Sequence, residues 1–589
     1  MSAPKESSEW RSARLRLARG YAPLTVLVLA FALITALVPS VSRDENRTVV
    51  TERAAAEGVS TPDGATTPAG GTTPAAGAGS GATSGQGTSS GVQTGGASSS
   101  STATSTPGAA RSGGGAAVTG DTTACAGQAE QVPGDPYSPP CIQFSGNNGG
   151  ATYNGVTGST ITLAYRFASD FAATNEGADS LGGSAYTATQ QQTENTINGL
   201  VTYFNNHFQF YGRKLKMVYF NGQSAALDEA QGEDQAQAAA DATTVAQSLH
   251  AFGDASVITQ VYAQALTQQH EMNFGIQYLN QADMAAMAPY AWGAGTDCTV
   301  DMQRVMNFVD NELANKPAAY AGGNLANQPR KFALITASNP TLQACANEAL
   351  AQAKAAGVTI ADDIPYALNV NTITAQDDNI VAKLANDGIT SVILLTDPGS
   401  PLFLSERAAQ QNYFPEWIES GAADVDYDEN AQLYDQSEWS RAFGISFLGP
   451  TLPEQATLGY AAYKSVASDE PAPLVAFQMY ELLDIISIGL QMAGPDLTPA
   501  NFEAGMRAYP GSQAGAANAQ YGTWAWPNND FNPVQDSDFV YWNPNKISAF
   551  NGQQGGYVVA SPRYGAGQYP VGNPPLPSGF PFTPSNNSG

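Results

Sequence analysis

Between residues 160 and 395 the hydrophobic period switches back and forth between two and 3.6, in two successive blocks. No other feature of the chain narrows its fold as much, because the two periods place side chains on different faces and one segment cannot satisfy both. In the first block, residues 160–165 (TITLAY) read as a strand, and Ile197, Leu200, Val201, Phe204 and Phe208 then recur at helical spacing. Residues 215–220 read as a second strand, and 230–249 as an Ala- and Gln-rich helix stopped by Gly253. Residues 255–259 follow as a third strand, 267–273 as a short helix and 275–279 as a fourth strand. The second block repeats the plan: strands at 331–336, 358–360 and 390–395, with helices at 342–356 and 377–386. The run TSVILL at 390–395 is too apolar to face water on either side, which is the mark of a parallel strand covered on both faces. The pattern predicts an α/β fold of two Rossmann-like lobes, each built on a parallel sheet.

The ends of the chain follow different rules. Residues 1–20 carry Lys5, Arg11, Arg14, Arg16 and Arg19 against Glu6 and Glu9, and residues 21–42 carry no charge. About 20 apolar residues suffice to cross a bilayer as a helix, and the basic flank stays on the cytoplasmic side. The expectation is a cytoplasmic N-terminus at 1–20, a single transmembrane signal-anchor at 21–42 and an extracytoplasmic globular part at the cell membrane. Ser40-Val41-Ser42 is a tolerable cleavage site, so a removed signal peptide stays open beside the preferred anchor. Residues 43–120 are dominated by Gly, Ala, Ser, Thr and Pro, and cannot bury enough surface to offset their ordering entropy. They read as a disordered linker with a reach of about 45–50 Å. The Pro- and Gly-rich tail at 566–589 reads the same way.

Charge and motifs exclude several function classes. With 25 basic and 52 acidic residues the net charge is −27, which repels nucleic acid and anionic lipid. The membrane is expected to be met only through the N-terminal helix. His207, His250 and His270 lie far apart and open no HExxH motif, and the globular part has no P-loop and no GxSxG elbow. No catalytic residue, metal site or cofactor is therefore assigned. Asp424, Asp426 and Asp428 have the 1-3-5 spacing of a calcium loop with Asp435 at position twelve, but Glu429 stands where the turn needs Gly, so a solvated acidic loop is the preferred reading. Four cysteines in an exported chain read as disulfides. Of the three connectivities, Cys125–Cys141, stapling a lead-in at 121–158, with Cys298–Cys345 is preferred.

Three stretches carry a family resemblance. Residues 200–223 (LVTYFNNHFQFYGRKLKMVYFNGQ), 331–360 (KFALITASNPTLQACANEALAQAKAAGVTI) and 476–494 (AFQMYELLDIISIGLQMAG) occur in the order seen in type I periplasmic solute-binding proteins. The chain resembles the branched-chain amino-acid (Leu/Ile/Val) receptor group of ABC transport systems over roughly residues 159–565. The resemblance implies two lobes joined by three crossing segments near 288–292, 445–450 and 521–530. Lobe 1 would comprise 159–290 and 453–520, and lobe 2 would comprise 291–448 and 521–565. It also implies a small-molecule ligand (an amino acid, amide or related organic solute) and an ABC permease as partner. A surface-anchored sensor or interaction protein on the same fold is the alternative, which the long linker motivates.

In such folds ligands sit at the carboxyl ends of the strands. That rule nominates Phe167, Ser169, Gln260, Tyr262, Asn280 and Gln281 in lobe 1, and Ser338, Thr396, Asp397 and Glu419 in lobe 2. Hydroxyls and backbone N–H groups would take a carboxylate, and Asp397 or Glu419 an ammonium. The loop after the third strand, Gln260-Val261-Tyr262-Ala263, lacks the hydroxyl-rich run of the amino-acid receptors, which points to a larger or less carboxylate-centred ligand.

Overall fold

The computed structural model describes residues 119–565, apart from 122–124, 126, 181–186, 277–278, 370–371 and 514. The expected membrane segment at 21–42, nearly all of the expected linker and the tail at 566–589 lie outside the described residues. The last linker positions do not: Thr119–Asp121 form a short strand antiparallel to Ser145–Asn147.

Two sheets carry the fold. The first has five parallel strands, β1 (Thr160–Phe167), β2 (Lys214–Asn221), β3 (Gly253–Asp254), β4 (Met272–Ile276) and β5 (Ala291–Gly293), in the order β2-β1-β3-β4-β5. In the second, β6 (Phe332–Ala337), β7 (Ile360–Tyr366), β8 (Ser391–Leu395), β9 (Glu416–Glu419) and β10 (Ala442–Ser446) are also parallel, in the order β7-β6-β8-β9-β10. Both follow the same doubly wound path, the 2-1-3-4-5 order that opens a crevice at the carboxyl ends of the strands. The second sheet is extended by antiparallel β11 (Asp536–Ile547) and β12 (Gln554–Val559). Every residue of β6, β8, β9 and β10 is buried, as parallel strands require.

Local chemistry explains the helix starts, and it corrects part of the first block. Thr189 opens α1 (Gln190–His207) with a capping box to Gln192. The expected third strand at 255–259 is instead β3, and the expected helix at 267–273 is instead α2 (Gln260–Gln268). Two residues decide this. A Cβ on Gly253 would stand 2.4 Å from the Met272 carbonyl oxygen, so this glycine lets two strands approach and is not a helix stop. The Thr259 hydroxyl accepts the Tyr262 N–H, which starts α2 immediately. The Ala-rich segment is helical only over Gln235–Thr243, and it passes into a π turn at Thr244–Ser248.

The chain leaves the first sheet after β5, at residues 294–297. Residues 447–452 and 520–534 cross as well, and the three passages are bonded together. Val534 N–H donates to the Gly295 carbonyl at 3.2 Å, the Asn532 amide to Ala294 at 3.1 Å, and Gly449 N–H to Gln520 at 2.7 Å. A Cβ at Gly449 would lie 1.8 Å from the Ala519 carbonyl oxygen, so two crossings touch backbone to backbone there. The lead-in is built into these crossings. Fully buried Tyr137 stacks on Trp524 with ring centroids 3.9 Å apart, and its hydroxyl donates to the Gly522 carbonyl at 3.1 Å.

Lobe 1 is completed by α6 (Pro473–Met492). By length and composition it is the one described helix able to span a membrane, but it is mostly buried against α1 and β4. In lobe 2, α4 (Cys298–Phe308) packs on α5 (Pro340–Ala355), and a disulfide joins Cys298 to Cys345 across them. The second disulfide joins Cys125 to Cys141 in the lead-in. The Cys298–Cys345 link closes a loop of 47 residues, so changing both cysteines to alanine is expected to cost about 4 kcal/mol of stability, read from urea midpoints.

Candidate functional site

Two adjoining cavities lie where the lobes meet the crossings. The first is enclosed by Gly295 and Thr296 after β5, by Asp301 on α4, by Asp424, Asp426 and Tyr427 after β9, by Phe447 after β10 and by Tyr521 from the third crossing. Lobe 1 adds Glu481 from the middle of α6. The second shares Asp426, Tyr427 and Leu448 with the first and is mainly apolar beyond them, with Leu452, Leu474, Phe477 and Phe550. Each encloses about 50 Å³.

The first cavity is unusually acidic for a buried space. Asp301, Asp426 and Glu481 are each less than a tenth exposed, and Asp424 is partly buried. None of the four is in a described ion pair. Burial pushes the Asp424 carboxyl up to about 6, Asp426 to about 7 and Glu481 to about 8, and holds Asp301 well above the usual carboxylate range. Their partners are neutral donors. Glu481 accepts the Gly295 N–H at 3.1 Å, Asp426 accepts the Ser446 hydroxyl at 2.6 Å, and Asp301 accepts the Thr296 hydroxyl. Asp424 also stands at φ 59°, a left-handed backbone that a non-glycine residue adopts at a cost. Among the described residues no group of three His, Cys, Asp or Glu side chains has the arrangement of a metal site.

The acidic run read as a solvated loop is therefore buried wall. Asp426 and Asp428 are 6% and 4% exposed, and Asp435 caps the short helix Gln436–Trp439 instead of joining them. The run ends up inside because β9 and β10 pair directly, so the loop between them folds back over the strand ends.

The ten nominated residues line neither cavity. Most serve the turn from strand to helix. Asn280 caps α3 (Gln281–Ala286) and accepts the Asp283 N–H at 2.7 Å. Gln281 donates its own N–H to the Thr299 hydroxyl at 3.2 Å. Asp397 accepts the Gly399 and Ser400 N–H groups at 2.8 and 3.0 Å and the Tyr366 hydroxyl at 2.5 Å. Ser338 is exposed and donates to the Tyr366 carbonyl at 2.8 Å. Thr396 is buried with an unpaired hydroxyl, Ser169 is exposed, and Phe167 packs on Tyr165 and Phe171. Tyr262 lies in the lobe 1 core, its hydroxyl on Asp254 at 2.9 Å and its ring beneath Arg166 at 3.6 Å. Glu419 is completely buried beside the Tyr557 hydroxyl, and burial holds its carboxyl well above the usual range.

Two nominated residues do converge, on a contact between lobes. Gln260 and Asn280 donate to Asp283 at 2.9 and 2.8 Å, and the same Asp283 oxygen accepts the Thr341 hydroxyl of α5 in lobe 2 at 2.8 Å. Sequence reasoning set Asp424 and Asp426 aside as a solvated loop and passed over Asp301 and Glu481. The available signal was the pair Glu481 and Asp484, two carboxylates within a largely apolar helix.

No family profile and no curated protein matches the chain in sequence. Many solved structures similar to it are ABC transporter substrate-binding proteins of the Leu/Ile/Val-binding type. One from Desulfitobacterium hafniense in complex with Leu is 12% identical, covering 68% of this chain and 100% of that one at a TM-score of 0.44. A fatty acid ABC transporter substrate-binding protein from Thermomonospora curvata is 15% identical, with 72% and 99% covered and a TM-score of 0.47. A solute-binding protein from Rhodopseudomonas palustris in complex with 3,4-dihydroxybenzoic acid is 12% identical, with 70% and 99% covered and a TM-score of 0.47.

Proposed function

We propose that the chain is an extracytoplasmic solute-binding protein of the type I periplasmic-binding-protein architecture. It captures a small organic solute between its two lobes for uptake through an ABC permease, and the N-terminal segment holds it at the membrane. One observation carries this reading: a cavity walled by both lobes and by all three crossing segments, directly after the carboxyl ends of β5, β9 and β10. A site built across a hinge is filled by closure of the lobes, and the bound state is then favoured by contacts only the closed form makes. The Thr341–Asp283 contact shows where the lobes meet outside the cavity.

The test is a thermal-shift screen of the purified full chain with amino acids, amides, amines and small organic acids. A true ligand at 100 times its Kd adds about 2.7 kcal/mol to folding. At least one class is expected to raise the melting temperature. If no solute does, and mass spectrometry of the denatured protein releases none, the reading falls.

A further inference from the structure

Resting on the reading just given, we infer that the solute is an organic cation with an apolar substituent and no carboxylate, its charged head in the acidic cavity and its apolar part in the adjoining one. The side-chain inventory is one-sided. Asp301, Asp424, Asp426 and Glu481 face the first cavity, and no Lys, Arg or His lines it. The charged groups facing these carboxyls include Asp297, Glu419, Asp484 and Asp538, all acidic. The guanidinium beyond them, Arg563, is already held by Asp536 at 2.9 Å and Asp538 at 3.2 Å.

Hydroxyl donors that could take a carboxylate are committed. Thr296 donates to Asp301, and Tyr521 donates to the Phe477 carbonyl at 2.8 Å. A carboxylate placed here would be desolvated beside four acidic groups, whereas an ammonium would supply the countercharge that their ionised forms lack. Tyr427, Phe447 and Tyr521 add aromatic faces, which attract cations through the ring quadrupole.

A second feature points the same way. Glu429 lines the adjoining cavity beside Asp428, is 5% exposed and is in no described ion pair, its own backbone N–H being the donor its carboxyl meets. A buried carboxyl without a countercharge costs stability, and an ammonium held in the adjoining cavities would offset that cost. The apolar walls of that cavity, Leu452, Leu474, Phe477 and Phe550, suit an alkyl or aryl group. The carboxyls hold protons when the site is empty, so a cation arriving near pH 6 displaces them.

The experiment uses the full chain and four probes of one class: methylammonium, tetramethylammonium, hexylammonium and phenethylammonium. Hexanoate, leucine and calcium chloride at matched ionic strength serve as comparators. Expected is a melting-temperature rise with at least one ammonium and none with hexanoate. Calorimetry in two buffers of different ionisation enthalpy should show protons released on binding. Glu481→Gln and Asp424→Asn should each raise the melting temperature of the empty protein while weakening amine binding at least tenfold. A purely structural role for these carboxyls would not produce that pair of effects. Stabilisation by leucine or hexanoate without the amines overturns the inference and leaves the solute-binding reading standing. Stabilisation by calcium alone overturns it in favour of a metal site. Failure of every organic solute overturns both.

Discussion

Replacing Arg166 with leucine is expected to lower the unfolding free energy by about 3–5 kcal/mol, the cost of leaving buried charges without their partner. Arg166 is 4% exposed at the carboxyl end of β1. Its Nη1 donates to Glu229 Oε1 at 2.6 Å and its Nη2 to Glu229 Oε2 at 2.9 Å, a two-pronged pair. Nη1 also reaches Asp241 Oδ2 at 3.1 Å, and the guanidinium lies over the Tyr262 ring. Asp241 in turn accepts the Gln223 and Ser224 N–H groups, so one cation fixes the loop after β2 as well. Without it, two carboxylates are stranded in lobe 1. Lysine does not rescue the site, because a point charge does not match the planar fork. Adding Glu229→Leu to Arg166→Leu should recover part of the loss, since removing both members of a buried pair costs less than removing one. Urea midpoints followed by circular dichroism measure all three variants. A loss below about 1 kcal/mol would mean that the pair behaves as a solvated one.

Raising the pH from 5 to 8.5 should lower the melting temperature steadily. Burial pushes Glu271, Glu438 and Glu481 up to about 8 and Asp297, Asp377, Asp426 and Asp538 to about 7. In the unfolded chain these groups lose their protons near pH 4. Between about pH 4 and 8 the folded protein therefore holds protons that the unfolded chain has released, and stability falls as pH rises through that window. The stabilisation from each group is complete below its unfolded value and gone above its folded one. Scanning calorimetry at half-unit steps gives the curve. A melting temperature higher at pH 8 than at pH 5.5 would contradict it. A cationic solute in the cleft should flatten the slope, because it replaces protons on Asp424, Asp426 and Glu481.

The residues nominated from sequence show why a strand-end rule places a site only coarsely. Polar residues after a strand have two employments, ligand contact and helix capping, and the cap is local. Asn280 and Asp397 meet their backbone N–H partners within three residues. Their side chains are thus spent before any ligand arrives. Asp301, the Asp424–Asp426 pair and Glu481 are distant in sequence, and no spacing links the three. The same limit explains the shift at β3. The length of the apolar run 255–259 suggested a strand, but Gly253 and Thr259 set the boundaries through a close approach and a cap.

By itself the sequence determined the repeated strand–helix plan, since hydrophobic period is a property of neighbouring residues and reports which face is buried. It also determined the strongly apolar β8 and the net charge of −27. Only the tertiary structure decided where the chain crosses between lobes and that Tyr137 of the lead-in is part of the crossings. It alone brought an acidic run and a helix carboxylate together around one cavity. Those are long-range outcomes. Two buried carboxyls recognise each other only after the sheets have set the distance between them, and that distance is not written in any one segment of the chain.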